Sequence, residues 1–148
     1  MYLRYDGVIV AKKNNKRIMR APNGRPWIAS SQEAKAQEQL MAYEFAKQAK
    51  AQDWQADDKK AYRVAIGIVE PDKRRRDLDN QATAILDALV LAGVLPDDDN
   101  KHLNDLHIFT IGYNKADPHA RVIISETEAT ETWNVPTAQM QIIRMKNN

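Results

Sequence analysis

Residues 61–93 read AYRVAIGIVEPDKRRRDLDNQATAILDALVLAG, and the way this stretch divides decides the fold. In its first ten residues Tyr62, Val64, Ile66 and Ile68 alternate with their neighbours, which places them on one face of a strand. In a helix expected to begin near Asp79, the apolar positions Leu78, Ala82, Ile85, Leu89 and Ala92 recur at spacings of four and three, which puts one face on a core. Gly93 then stands where a C-terminal cap belongs. Between strand and helix lies a charged connection, RRRDLDN, residues 74–80.

Upstream, YLRYDGVIVA reads as an opening strand, and KKNNKRIMRAPNGRP as a loop or irregular hairpin turning at Asn23-Gly24. The run SSQEAKAQEQLMAYEFAKQAKAQ is rich in strong helix formers, with Ser30 as a cap and Glu33 three residues on. Downstream, LNDLHIFTIGYNK and ARVIISE are two further strands joined across Asp117-Pro118. This order predicts an α/β (α+β) class: a mixed sheet of about four strands with two main helices packed on it. One domain is expected over residues 1–126, with 127–148 a C-terminal extension that reads as a strand, an arm or a frayed end.

The chain of 148 residues is long enough to bury one core, and its 43% hydrophobic and 28% charged residues argue against wholesale disorder. Having no cysteine, it has no disulfide framework, thiolate metal site or cysteine nucleophile. No window approaches the roughly 20 apolar residues of a membrane span, and the N-terminal apolar run is short for a signal peptide. No membrane association and a cytoplasmic location are therefore expected. The net charge of +2 conceals a separated field. No acid lies between Asp6 and Glu33, where Lys12, Lys13, Lys16, Arg17, Arg20 and Arg25 gather, and a second basic group spans Lys73 to Arg76. Such a distribution suits a polyanionic substrate held by its phosphates beside carboxylates, though solvated loops carry similar runs.

Asp77 and Asp79 in the connection, with Asp97, Asp98 and Asp99 beyond the helix, form the densest carboxylate grouping. Hard divalent cations take oxygen ligands, commonly one or two carboxylates completed by phosphate and water. The same residues also suit plainer roles, because an Asp before a helix is a common N-cap and Pro-Asp-Asp-Asp-Asn an ordinary turn. Neither run has the glycine and distal Glu of an EF-hand loop. His102, His107 and His119 lack metal spacing, and no GxSxG elbow is present, so packing roles are expected for them. Trp27, Trp54 and Trp133 are scattered, with Trp27 in the basic loop.

RRRDLDN, the helix ending LDALVLAGVL, and PDDDN together resemble the RusA family of Holliday-junction resolvases, which carry RRDLDN, an LDAL-type helix, a small residue and glycine, and a DD pair. The resemblance extends to NNKRIMRAPNGRPWIAS and so covers the chain to about Glu126. It implies a Mg²⁺-dependent endonuclease (Mn²⁺ as a possible substitute) of bacteria or their prophages. Such an enzyme acts in DNA recombination and repair as a homodimer that nicks four-way junctions symmetrically. Carried over residue by residue, it implies Asp77, Asp79 and Asp98 as catalytic, metal-binding acids, with Asp97 as the neighbouring metal-binding acid. DNA contacts are then expected from Lys13, Asn15, Lys16, Arg17, Arg20, Arg74, Arg75, Arg76 and Lys101.

Two features depart from the family pattern. The N-terminal loop lacks the prolines usual before the family's asparagines. Where the family has a lysine one helical turn beyond the second Asp, this chain has Thr83, which carries no charge; losing one preorganised electrostatic contact is worth a few kcal/mol in transition-state stabilisation. Lys101, Lys73 or the basic loop would have to supply the charge. Two other readings follow: a branched-DNA-binding module with weak or no cleavage, and a nuclease acting on flaps or RNA.

Overall fold

The computed structural model describes residues 1–10, 16–20, 22–24, 26–30 and 32–127. Its elements in chain order are β1 (Tyr2–Asp6), β2 (Lys16–Arg20), β3 (Pro26–Ser30), α1 (Gln32–Ala51), β4 (Ala61–Glu70), α2 (Leu78–Leu91), β5 (Leu103–Tyr113) and β6 (His119–Thr127). The expected α+β class with a mixed four-stranded sheet and two helices is what the chain adopts.

The sheet order is β1-β6-β4-β5, and only the β4–β5 pair is parallel. Parallel neighbours need a crossover, and α2 supplies it. Although β5 and β6 are consecutive in sequence, β4 lies between them. Its central place explains why burial is continuous from Val64 to Glu70 instead of alternating. The second face carries the small Ala65 and Gly67, so both sides close. On the first face Leu3, Phe45, Tyr62, Ile66, Ile85, Leu89, Val122 and Ile124 form one core beneath the helices.

The basic N-terminal stretch folds as the irregular hairpin expected: β2 pairs antiparallel with β3, and Gly24 between them has φ +78°, which glycine adopts without steric cost. Ser30 closes β3 rather than capping α1, which begins at Gln32. The opening strand stops at Asp6 because Gly7 (φ +125°) turns the chain, its amide donating to the Pro118 carbonyl at 2.8 Å.

As the edge of its sheet, β1 leaves one row of backbone groups without a strand partner. Helix α1 covers them with amide side chains. Gln48 accepts from the Arg4 amide (2.8 Å) and donates to its carbonyl (2.7 Å); Gln52 brackets Tyr2 in the same way (3.2 and 2.7 Å). Gln37, three helical turns earlier, holds the Val10 amide and the Val8 carbonyl at 2.7 Å each. A carboxamide presents one donor and one acceptor, as a strand residue does, so these glutamines replace a missing strand.

Candidate active site

The site expected from RRRDLDN begins where β4 leaves the sheet. Glu70, the last residue of β4, is buried at 5% exposure. Its Oε1 accepts from Gln81 Nε2 of α2 at 2.8 Å, and Oε2 lies 3.5 Å from Arg76 Nε. Arg76 also donates from Nη1 to Asp72 at 2.9 Å, and the Arg74 amide donates to the same Asp72 oxygen at 2.9 Å. The Arg76 hydrogen bond, then the Arg74 amide, hold the Asp72 carboxyl below the usual carboxylate range. Arg76 therefore ties the connection to the end of β4. Arg74, with its side chain 84% exposed, lies 3.6 Å from the other Asp72 oxygen through Nε, and Arg75 beside it is exposed.

Asp77 occupies the N-cap position of α2 with extended backbone (φ −85°, ψ 111°), yet its side chain makes no capping hydrogen bond. It accepts instead from Asn80 Nδ2 at 3.1 Å. The plain capping role is thus not the one Asp77 plays. Asp79, in the first turn, is exposed and favoured there by the helix dipole. Two buried amide oxygens in the first turn of α2, Asn80 Oδ1 and Gln81 Oε1, have no hydrogen-bond partner. Unpaired acceptors at a buried helix start are costly, and oxygen acceptors beside carboxylates match the donor set a hard cation uses.

The second acidic group lies at the other end of α2. Asp99 folds the turn: its Oδ1 accepts from the Lys101 and His102 amides at 3.0 Å each and meets His102 Nδ1 at 2.8 Å. Burial alone would raise the Asp99 carboxyl, but these bonds from His102 and Lys101 bring it below the ordinary value. The other nitrogen of His102 meets the Asp58 carbonyl at 3.1 Å, so this histidine packs as expected. Asp97 accepts from the Asp98 amide at 2.8 Å. Burial, then the charges of Asp87 and Asp97, push the Asp98 carboxyl up.

Asp87 stands eight residues beyond Asp79 on α2, about 12 Å along the helix axis. Asp98 accordingly keeps company with Asp87 and Asp97. Among the described residues no group of three His, Cys, Asp or Glu side chains is arranged to hold one metal ion. Asp77 and Asp79 stand two residues apart at the start of α2, and Asp98 follows its end. A magnesium ion commonly keeps several waters and takes substrate phosphate, so one or two carboxylates suffice to hold it.

Thr83 lies one turn beyond Asp79 and donates its hydroxyl to the Asp79 backbone carbonyl at 2.9 Å. Lys101 is exposed. Of the expected DNA contacts on the N-terminal arm, Lys16, Arg17 and Arg20 lie on β2 with Arg20 exposed, while Lys13 and Asn15 lie outside the described residues, as do Trp133 and residues 128–148. Trp54 packs against Tyr62 at a ring separation of 5.9 Å and donates to the Val94 carbonyl at 3.0 Å, a core role.

Sequence reading missed Glu70, Gln81 and Asp87. Glu70 was the last residue of a strand pattern immediately before the motif, and Asp87 shares the 79, 83, 87 helical register; both signals were present.

No family model matches the chain, and no curated protein matches it. No helix among the described residues is long and apolar enough to cross a membrane.

Proposed function

We propose that the chain is a Mg²⁺-dependent, structure-selective endodeoxyribonuclease that nicks four-way DNA junctions. The observation that carries this reading is Asp77: an exposed carboxylate at a helix start, free of the capping bond its position invites, beside exposed Asp79 and Arg74. Asp77 and Asp79 would hold the ion, which when bound orients water and stabilises charge developing on a phosphate. Arg74 and Arg75 hold the strand by its phosphates, while Arg76 keeps the connection in place through Glu70 and Asp72. Asp98 is the third acid of the proposal, in the distal group. A twofold dimer would present two such sites to a junction of matching symmetry.

A second reading, a branched-DNA-binding protein that cuts poorly, is favoured by Thr83, whose hydroxyl is spent on the Asp79 carbonyl in place of a cation. Cleavage of an end-labelled synthetic four-way junction separates the two. The endonuclease gives paired, Mg²⁺-dependent nicks in the native chain, few on linear duplex, and none with Asp79→Asn or Asp77→Asn. Tight junction binding without nicks under several metals and junction sequences establishes the second reading. Nicking that survives both substitutions removes the site.

A further inference from the structure

On the sheet face away from the helices, β6 places Arg121 opposite Arg4 of β1 on one side and Gly67 of β4 on the other. Cations directly opposite each other across strands repel. The two are treated unequally by their surroundings. Arg4 donates to Asp6 at 2.6 Å and to Asp117 at 2.7 Å, so both nearby carboxylates are taken. The Arg4 hydrogen bond, with a smaller contribution from His119, holds the Asp117 carboxyl below its ordinary value.

Arg121 is left with a neutral partner. Its Nε donates to His119 Nε2 at 3.0 Å, and His119 Nδ1 meets the Asp117 carbonyl at 2.9 Å and lies 3.3 Å from the Asp117 carboxylate. The first bond makes Nε2 an acceptor and leaves the ring proton on Nδ1. Arg121 is 8% exposed and His119 3%, and Nη1 of Arg121 is buried with no hydrogen-bond partner at all. A guanidinium buried to that degree, bonded through Nε to a histidine and with Nη1 unpaired, carries a desolvation cost that this one direct hydrogen bond offsets only in part.

Arg121 lines a pocket of about 270 Å³ together with Tyr113, Asn114, Asp117 and His119. Asn114 Oδ1 is taken by the Ala116 amide at 3.0 Å, which leaves its NH₂ to donate. Tyr113 is 56% exposed and offers an aromatic surface at the mouth. We propose that this pocket is a phosphate-binding subsite, in which the guanidinium of Arg121, aimed by His119, takes a phosphate oxygen with Asn114 as a second donor. The phosphate belongs either to a nucleic-acid strand or to a free small molecule. The Asn114 amide donates to the Glu70 carbonyl at 2.8 Å, so the pocket adjoins the residue from which RRRDLDN departs. The subsite does not depend on cleavage.

Backbone-amide NMR of the full chain tests the inference, with inorganic phosphate, a nucleoside monophosphate and a short oligonucleotide added separately against sodium chloride of matched ionic strength. Saturable shifts at Gly112, Tyr113, Asn114 and Arg121 are expected, and Arg121→Lys, which keeps the charge and loses the guanidinium, weakens binding roughly tenfold or more. Oligonucleotide binding that also weakens in Tyr113→Ala, with inorganic phosphate unaffected, assigns the subsite to a strand; equal binding of all three probes assigns it to a free phosphate. Absence of saturable shifts with every probe overturns the proposal, as does binding unchanged by Arg121→Lys. Should that variant fail to fold, the native titration decides alone.

Discussion

The two ends of α2 carry the same residue type in opposite employment. At the C-terminal end Asp99 spends its carboxylate on two backbone amides and a histidine, and Asp97 spends its own on the next amide. At the N-terminal end Asp77 stands where a cap belongs and caps nothing, because Asn80 engages it from the side. Fixing the connection there falls instead to Glu70, Asp72, Arg76 and Gln81. Structural duty at one end is met by the aspartates themselves, and at the other by neighbours, so that Asp77 is left without a capping bond.

The largest effect expected from breaking this division comes at Glu70. Replacing it by Ala strands the buried Gln81 amide and removes the inner partner of Arg76, so Glu70→Ala lowers stability by about 2–3 kcal/mol. Chemical denaturation measures it; a loss under about 0.5 kcal/mol would mean that the connection is not held from β4.

Next in size is the contrast between Asp99 and Asp77. Asp99→Ala removes an acceptor from two backbone amides and from His102, and costs more than the loss of the single bond at Asp77. Asp77→Ala loses no capping bond, only the single bond from the buried Asn80 Nδ2, and costs about 1 kcal/mol. Equal losses at the two positions would show that Asp77 caps in solution.

Much of this fold was legible in the chain because burial writes a period. The helix from Leu78 follows its spacing of four and three, and the basic hairpin turns at Asn23-Gly24. What periodicity could not carry was partnership at a distance. Nothing local in ARVIISE says that it inserts between β1 and β4, and the glutamines of α1 read as helix formers rather than as substitutes for an edge strand. The acidic runs were visible as chemistry. Their separation by the length of α2 was not, since a parallel β4–α2–β5 unit sends the chain to the far end of the sheet before β5 begins.

Thr83 offers a gain rather than a loss. A lysine there lies at i+4 from Asp79 and at i−4 from Asp87 on the α2 surface. Thr83→Lys is expected to stabilise the chain by roughly 0.3–0.5 kcal/mol, with the gain shrinking in high salt. If the endonuclease reading holds, the same substitution raises the nicking rate, so stability and cleavage report on one charge in two ways. A gain that persists at high salt would point to helix propensity and not to the carboxylates.

The smallest effect concerns Asp98 and its neighbour Asp87. Because burial and then the charges of Asp87 and Asp97 raise the folded carboxyl above its unfolded value, the folded state prefers the protonated acid. The stability this group contributes is fully present below the ordinary carboxylate range, near pH 3.9, and is lost as pH rises through the raised value. At pH 7 the ionised group is therefore a mild burden. Asp98→Asn cannot ionise and should be more stable than the native chain there by roughly 0.3 kcal/mol, a figure kept small because the site is largely solvated. That advantage should vanish below about pH 3.5, where native Asp98 is itself protonated. Asp87→Asn should give a similar gain at neutral pH, and the double variant less than the sum of the two, because each substitution already removes the shared repulsion. Additive gains would separate the two carboxylates and return Asp98 to the company of Asp77 and Asp79.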